Sequence, residues 1–274
     1  ALLTSQLGSG ITEEVITASQ AIEITHLASL YHDDVMDDAP LRRGVDSAHI
    51  VWGNSIAILT GDLLFARAST LMAGLGERAI QLQAETFERL CIGQLNETVG
   101  PKPGDDPLAH YIHVLEDKTG SLISAAARSG VIFSGAPSEY EDAVVGFGDK
   151  IGVAFQLADD VIDLSPDAKT GKQAGTDLKA GVVTLPTLYL ARSAETNPAD
   201  ADLQERIRLA VEADDDAALA ALTIELYNHD VTERTRVEAH RWAAEAVAAL
   251  APLPEGAVKQ ALAAFADHVV SRTN

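Results

Sequence analysis

Apolar residues recur at helical spacing along nearly all of this chain, and this periodicity limits the fold more than any other feature. In residues 11–37, ITEEVITASQAIEITHLASLYHDDVMD, the apolar side chains form stripes that include Val15, Ile22 and Leu30. Pro40 ends the segment, because proline cannot continue a helix and disfavours helical geometry at the preceding residue. Alternating β-branched residues are scarce, so the pattern predicts helices and not strands.

Further helices are predicted between stretches that are rich in Gly, Pro or Asp, namely GPKPGDDP, SGAPS, SPDAKTGKQAG and APLPEG. The predicted helices span about 53–75, 77–99, 107–133, 138–164, 184–195, 202–212, 216–227, 231–250 and 256–272. No internal repeat of fixed period and no low-complexity linker separates them. The sequence therefore predicts one all-α domain, a helical bundle over residues 1–274.

Composition excludes several classes of function. With a formal net charge of −21, the chain lacks the basic surface that nucleic-acid phosphates require. A single cysteine, Cys91, rules out a disulfide framework and indicates a reducing cytoplasm. We find no run of eighteen apolar residues and no basic region followed by an apolar one at the start, so we expect neither a membrane span nor a signal peptide.

A cluster of aspartates lies at the end of the first helical segment, in SLYHDDVMDDAPLRRG. On a helix, Asp33 and Asp37 are one turn apart and Asp34 is three residues from Asp37, so the three carboxylates converge. A solvated helix end is the ordinary explanation of such a pattern. These acids, however, lie where the helix dipole disfavours negative charge, which indicates that a cation compensates them.

A second cluster of the same form, FQLADDVID, contains Asp159, Asp160 and Asp163. Two such clusters are much less expected by chance than one. Mg²⁺ prefers oxygen ligands and is commonly held by a few carboxylates together with substrate phosphates. Because no Cys or His has ligand spacing, the two clusters predict a Mg²⁺–diphosphate site and not a zinc site. Basic residues that could bind the diphosphate are Arg42, Arg43, Lys118 and Lys172.

Together these motifs resemble the trans-isoprenyl diphosphate synthases, and bacterial polyprenyl diphosphate synthases in particular, with an actinobacterial character. The resemblance extends over nearly the whole chain and includes GNSIAILTGDLLFARA (53–68), GQLNETVG (93–100) and DKTGSL (117–122). It implies a bundle of mostly antiparallel helices around a deep central cavity, usually in a homodimer. It also implies condensation of isopentenyl diphosphate with an allylic diphosphate, with three Mg²⁺ ions held by the two acid motifs.

The same resemblance assigns roles to individual residues. Asp33, Asp37 and Asp159 would bind Mg²⁺, with Asp34, Asp160 and Asp163 as water-mediated or supporting partners. The residues implied to bind the allylic diphosphate are Arg42, Lys118, Lys172, Gln94 and Gln156. Glu97 and Asp177 match further acids near the metals. Lys118, Thr119 and Gln156 are the catalytic candidates, and the last two would turn oxygen dipoles toward the allylic carbon, although an ordinary buried hydrogen bond explains each of them equally well.

A separate site is implied for isopentenyl diphosphate, with His26 and Arg43 as its ligands. His26 lies on the same helical face as Asp33 and Asp37, although a histidine there is more often part of the core. The family's N-terminal Gly-Lys-Arg-x-Arg loop is absent, because residues 1–41 contain no Lys or Arg. Either upstream residues are missing or the binding of isopentenyl diphosphate is impaired, and we expect the former because the chain opens within a helix. Val182, where many relatives have Lys, weakens one outer phosphate contact.

Small residues below the first acid motif indicate a long product. Reading down the helix from Asp33, the side chains facing the cavity are Ser29 and Ala28, then Thr25, then Ile22 and Ala21. Each turn adds about 5.4 Å, so the first sizeable side chain lies three turns down. This predicts a product longer than farnesyl, in the hexaprenyl-to-decaprenyl range. Close helix packing is the alternative explanation of these small residues.

Two other functions remain open at this stage. A class I terpene cyclase shares the first motif, but its second motif needs Ser or Thr and then Glu at four-residue intervals. From Asp159 those positions hold Asp163 and Asp167. A non-catalytic subunit of a heteromeric synthase usually loses an acid motif, and both are intact here. The expected partners are thus the two diphosphate substrates and a second copy of the chain, with a peripheral membrane contact for product release.

Overall fold

The computed structural model describes residues 1–166 and 174–272, and within them the chain is built almost entirely of helices. Helical structure was predicted from periodicity, and the all-α class is confirmed. The helices are α1 (Glu13–Met36), α2 (Ala48–Trp52), α3 (Asn54–Gly74), α4 (Glu77–Val99), α5 (Pro107–Leu115), α6 (Ser121–Phe133), α7 (Glu141–Leu164), α8 (Thr176–Ala180), α9 (Leu185–Ala194), α10 (Pro198–Glu212), α11 (Asp216–Tyr227), α12 (Asp230–Ala249) and α13 (Ala257–Ser271).

Side-chain caps fix where several helices begin. The Thr12 hydroxyl accepts a hydrogen bond from the Val15 N–H at 3.2 Å and so caps α1. Asp106 and Asn197 cap α5 and α10 in the same way, and each is followed by a proline at the first helical position. At α9, Thr184 forms a reciprocal capping box with Thr187. These polar and proline residues stop one helix and start the next.

Short elements were not predicted. A two-stranded antiparallel hairpin, β1 (Leu41–Arg42) and β2 (Val45–Asp46), follows α1, with Arg42 opposite Val45. Residues 4–7 form a 3-10 helix, so the expectation that the chain opens within a longer helix was wrong for this segment. The predicted helix 107–133 is interrupted by a π-helical turn at Glu116–Gly120. Elements of two to five residues are too short to show apolar periodicity.

The chain divides into two compact units, each made of separated segments. Unit 1 comprises residues 1–92, 121–149 and 249–262, and unit 2 comprises 93–120, 150–248 and 263–274. That residues 1–274 form one domain around one deep cavity remains a prediction. The core of unit 1 joins α1, α3, α4 and α6 through Ala18, Ala21, Ile22, Ala68, Met72, Ala79, Leu82 and Ala125. The core of unit 2 includes Leu164, Leu178, Leu190, Leu203, Leu222 and Leu226.

Helix α3 is unusually apolar for a helix with so much exposed surface. Its 21 residues reach a mean hydropathy of 1.4 over an 18-residue window that is only 22% buried, so by length and composition it could span a membrane. In the part of the chain that the structure describes, it is the one helix with this property. The sequence was expected to contain no candidate membrane span, and α3 is an exception by length and composition. One face of α3 is fixed in the core of unit 1 through Ala68 and Met72.

Candidate active site

The first acid motif occupies the last turn of α1, in unit 1. Asp33 and Asp34 are buried, and Asp37 caps the helix with its N–H donating to the Asp33 carbonyl at 2.8 Å. Two carboxylates are therefore held at a helix C-terminus, where the backbone dipole adds negative potential. This arrangement favours a cation, as the spacing predicted.

The hairpin that follows α1 brings Arg42 back to this motif. The Nε and Nη2 atoms of Arg42 donate to the same Asp34 oxygen, at 2.8 and 2.5 Å. Between the strands, Arg43 and Gly44 both have positive φ, at 53° and 81°. Positive φ at both central residues defines a type I′ turn, in which Asn or Gly is favoured and arginine is strained. Arg43 keeps its exposed side chain at a conformational cost.

His26 lies two turns before Asp33 on α1 and is partly buried. Burial lowers the pKa of its imidazole; Glu23 opposes this shift, while Arg43 and Arg42 add to it. The lowered pKa favours the neutral form of the ring, and the two arginines of the hairpin act on it electrostatically. His26 and Arg43, predicted to share a substrate, are brought into the same electrostatic environment in unit 1.

The face of α1 below the motif is closed to solvent. Thr25, Ala28 and Ser29 are all buried, and Ile22 is packed in the core of unit 1. A side chain at Gly61 of α3 would come within 3.2 Å of the Ala28 carbonyl oxygen, so the two helices approach closely there. This contact involves Gly61 and the backbone of Ala28, so helix packing and the product path both remain predictions for the small side chains on this face.

Lys118 and Thr119 lie on the π-helical turn between α5 and α6, in unit 2. Single-turn π segments often occur at functional sites because they redirect side chains. The Lys118 ammonium donates to the Glu97 carboxylate of α4 at 2.5 Å, so these two predicted site residues are paired. Gly93 allows α4 and the π-helical turn to lie this close together. A β-carbon at residue 93 would be only 2.7 Å from the backbone nitrogen of Lys118.

Two glutamines were predicted to contact the allylic substrate. Gln94, one turn before Thr98 on α4, has a buried Oε1 atom that accepts no hydrogen bond. An unsatisfied buried amide oxygen is costly, which indicates a polar partner that is not part of the chain. Gln156 is partly buried on α7, one turn before Asp160.

The second acid motif lies at the end of α7, where its aspartates have different surroundings. Asp159 accepts from Arg272 at 3.2 Å, and that guanidinium also stacks 4.5 Å above the Phe155 ring. Asp160 is buried; its Oδ2 accepts from the Tyr111 hydroxyl at 2.6 Å and from the Leu185 N–H at 2.9 Å. Burial raises the pKa of Asp160 to about 7, against the opposing effect of these two donors.

Asp163, the third acid of this motif, organises the segment that contains Asp177. Its Oδ2 accepts from the Asp177 N–H at 3.1 Å, and its carbonyl accepts from the Gly175 N–H at 2.7 Å. Asp163 therefore holds the start of α8 against the end of α7. Lys172, also predicted to bind diphosphate, lies outside the described residues.

Sequence reasoning missed Tyr111 and Arg272, because each lies far along the chain from the aspartate that it contacts. In residues 1–166 and 174–272, no three His, Cys, Asp or Glu side chains form a group that could hold a metal ion unaided. The carboxylate pairs can supply only part of a coordination shell. That is how Mg²⁺ is usually bound, with substrate phosphates and water completing the shell.

Residues 1–226 match the family model described as polyprenyl synthetase. A nonaprenyl diphosphate synthase of Mycobacterium tuberculosis is 43% identical over 273 residues, covering 99% of this chain and 80% of that protein.

Solved structures show the same likeness. A geranylgeranyl pyrophosphate synthase of Corynebacterium glutamicum, complexed with calcium and isoprenyl diphosphate, aligns with a TM-score of 0.84 and 41% identity, over 99% of this chain and 82% of that one. A decaprenyl diphosphate synthase of Rhodobacter capsulatus aligns with a TM-score of 0.85 and 31% identity, over 100% and 84%.

Proposed function

The chain belongs to the polyprenyl synthetase family, and from this premise we propose that it joins isopentenyl diphosphate to an allylic diphosphate and makes a linear product longer than farnesyl. The prediction of a prenyltransferase with an all-α fold is confirmed. The observation that carries the proposal is the pair of intact acid motifs, at Asp33–Asp37 and Asp159–Asp163, both within the matched residues 1–226.

We propose Mg²⁺ as the cofactor, with three ions bound when substrate is present. Asp33, Asp37 and Asp159 are the ligands of this proposal, since all three offer carboxylate oxygens near helix ends. Bound Mg²⁺ would neutralise the charge of the diphosphate group. Asp34 and Asp160 fit a supporting role, because one is paired with Arg42 and the other holds Tyr111 and the start of α9.

The chain's own cations stabilise the departing diphosphate in this proposal. Arg42 and Lys118 bind its oxygens, and each is now held in place by a carboxylate, from Asp34 and Glu97. Because those bonds pre-position the cations, little side-chain entropy is lost when substrate arrives. The unsatisfied Oε1 atom of Gln94 is an acceptor, so in this proposal it receives a hydrogen bond from a water molecule that lies between Gln94 and the diphosphate. Thr119 and Gln156 turn oxygen dipoles toward the allylic carbon.

Bond making then follows ionisation. The carbon–oxygen bond of the allylic diphosphate breaks, and the diphosphate leaves with the electron pair. The double bond of isopentenyl diphosphate attacks the allylic cation, and a proton passes to the released diphosphate. Exclusion of water from the apolar surroundings protects the cation.

His26 and Arg43 bind the diphosphate group of isopentenyl diphosphate in this proposal. Arg43 suits this role because its side chain is exposed at the tip of the hairpin, where the positive φ makes an arginine costlier than a glycine.

The exposed apolar residues of α3 are the basis for proposing that the chain pairs with a second copy of itself. Ile56, Leu59 and Leu63 are all exposed, with Leu63 70% exposed. Monomeric proteins rarely leave so contiguous an apolar surface uncovered. A lipid bilayer could also bury these exposed residues. However, one face of α3 already packs in the core of unit 1, so α3 does not cross a bilayer in this proposal. We therefore propose a homodimer through α3, with only peripheral membrane contact for product release, in a cytoplasm where Cys91 stays reduced.

The dimer can be tested by charge substitution on this face. Leu63→Lys should convert the dimer to a monomer in sedimentation or light-scattering measurements, because an unpaired ammonium would be buried. Val237→Lys, on α12 and 61% exposed, is the matched control and should leave the assembly unchanged. A Leu63→Lys protein that remains dimeric would contradict the assignment of α3.

The activity is tested by incubating purified protein with Mg²⁺, labelled isopentenyl diphosphate and a farnesyl or geranylgeranyl starter. Linear polyprenyl diphosphates longer than the starter are the expected product. Cyclic hydrocarbons would indicate the cyclase alternative, and absence of turnover would indicate the subunit alternative. Asp37→Asn should abolish turnover without unfolding the protein, whereas Asp230→Asn, at the start of α12, is the matched control.

A further inference from the structure

The π-helical turn at Glu116–Gly120 lies in unit 2, and two glycines of the same unit touch its backbone at separate points. A β-carbon at Gly93 of α4 would lie 2.7 Å from the Lys118 backbone nitrogen. A β-carbon at Gly152 of α7 would lie 2.5 Å from the Gly120 α-carbon. Non-bonded carbon atoms pack best at about 3.5–4.0 Å, so a side chain fits at neither position unless the backbone moves.

This turn carries Lys118 and Thr119, two of the residues predicted to act on the allylic substrate. Its hydrogen bonds run from residue i to residue i+5, so its backbone is wider than that of the α-helices before and after it. Such turns are rare, and most helical stability in proteins comes from packing against neighbouring elements. The glycines allow α4 and α7 to pack directly against the backbone of the turn.

Each glycine lies one helical turn before a residue of the proposed site. Glu97 follows Gly93 by four residues and shares its face of α4. Gln156 follows Gly152 by four residues and shares its face of α7. The Glu97 carboxylate accepts the Lys118 ammonium at 2.5 Å, just beyond the contact with Gly93. The two close contacts therefore fix how α4, the π-helical turn and α7 place their site residues relative to one another.

We propose that Gly93 and Gly152 are positioning residues, which fix the π-helical turn so that its side chains reach the allylic diphosphate. This inference rests on the proposed function. Neither glycine touches the substrate in this proposal, and both act through Lys118 and Thr119. An alanine at either position would displace the backbone of the turn by about 1 Å. A displacement of this size can reduce the rate about a hundredfold even when the substitution lies away from the chemistry.

The test replaces each glycine with alanine and measures steady-state kinetics with Mg²⁺, a farnesyl starter and isopentenyl diphosphate. Gly93→Ala and Gly152→Ala should each reduce kcat/KM for the starter by about tenfold or more, because Lys118 is displaced. The KM for isopentenyl diphosphate should stay within about threefold of the parent value. If Gly152→Ala melts at too low a temperature for kinetics, Gly93→Ala decides the test, because its overlap with the turn is smaller.

Gly148→Ala is the matched control for loss of packing. A β-carbon at Gly148 would lie 2.4 Å from the Ser124 α-carbon of α6, so the overlap is as severe but does not involve the π-helical turn. This variant should lower the melting temperature about as much as Gly152→Ala does, with kcat/KM for the starter within about threefold of the parent. An equal loss of kcat/KM in both variants would overturn the inference and assign the effect to helix packing.

A binding measurement separates positioning from general loosening of the fold. The Kd of inorganic diphosphate in the presence of Mg²⁺, measured by calorimetry, should rise about tenfold in Gly93→Ala. In a Lys118→Ala background the same substitution should change this Kd less than about threefold, because Gly93 acts through that lysine. Equal Kd values for the parent and Gly93→Ala, or an equal loss in both backgrounds, would overturn the inference. A parent that binds diphosphate but consumes no starter would contradict the proposed function alone.

Discussion

The Tyr111 hydroxyl of α5 donates a 2.6 Å hydrogen bond to the Asp160 carboxylate of α7, and the same carboxylate oxygen accepts from the Leu185 N–H at the start of α9. The hydrogen bonds of Asp160 thus connect three helices of unit 2, namely α5, α7 and α9. Its neighbour Asp159 is held by Arg272 on the exposed side of α7. The two adjacent aspartates therefore have different surroundings: Asp160 is buried and connects three helices, whereas Asp159 is partly exposed and is the one that we propose as a Mg²⁺ ligand.

Replacing Tyr111 with Phe removes the donor and leaves the buried Asp160 with the Leu185 N–H alone. Losing a hydrogen bond to a buried carboxyl group should reduce the free energy of unfolding by about 1–3 kcal/mol, measured by urea denaturation. Tyr189→Phe on α9 is the control, with an expected change below about 0.5 kcal/mol. Equal stabilities of the two variants would contradict the anchoring role of Tyr111. Turnover of Tyr111→Phe should fall more than its KM changes, because α7 carries Asp159.

The long helices could be predicted because they carry apolar periodicity and end at Gly, Pro or Asp. The hairpin at 41–46 and the helices α2 and α8 could not, because five residues or fewer contain no measurable period. At the site, the aspartate spacing identified the acids, since carboxylates three or four residues apart share a helical face. Their partners could not be found this way: Tyr111 is 49 residues from Asp160, and Arg272 is 113 from Asp159.

His26 should make stability depend on pH. Its pKa is lowered in the folded protein, chiefly by burial, from an ordinary value of 6.5. The folded state therefore binds a proton less readily than the unfolded state, so the stability contribution is present above about pH 6.5 and is lost as the pH falls through the lowered pKa. His26→Asn should flatten this part of the curve, as measured by urea midpoints at pH 7.5 and 5.5 without Mg²⁺. An unchanged difference between the two midpoints would assign the effect to other groups.

Arg43 should show a conflict between stability and substrate binding. Its positive φ of 53° suits Gly, so Arg43→Gly relieves strain and should stabilise the fold by about 0.5 kcal/mol, after the entropy gained by the unfolded chain is subtracted. The KM for isopentenyl diphosphate should rise about tenfold or more, since a charge-assisted contact to phosphate is lost.

Arg42 provides the contrast for this prediction. Arg42→Gly breaks the bond to the buried Asp34 and should destabilise the protein. It should also affect the allylic substrate more than isopentenyl diphosphate. If Arg43→Gly lowered stability without changing KM, the side chain would be structural and its assignment to isopentenyl diphosphate wrong.

Ala28 tests whether the face of α1 below the acid motif guides the growing product. Ala28→Phe should shorten the main product, because the aromatic ring would project from the face of α1 along which we propose that the product grows. Ala28 is fully buried and close to α3, so overpacking should also cost about 1–3 kcal/mol of stability. Ser29→Tyr, one residue on, is a second variant with the same expected direction, and Ser29→Ala should change nothing. Products are compared by mass spectrometry at matched starter consumption. If both bulky variants fold and still release the parent's product lengths, α1 does not line the product path, and its small residues serve helix packing alone.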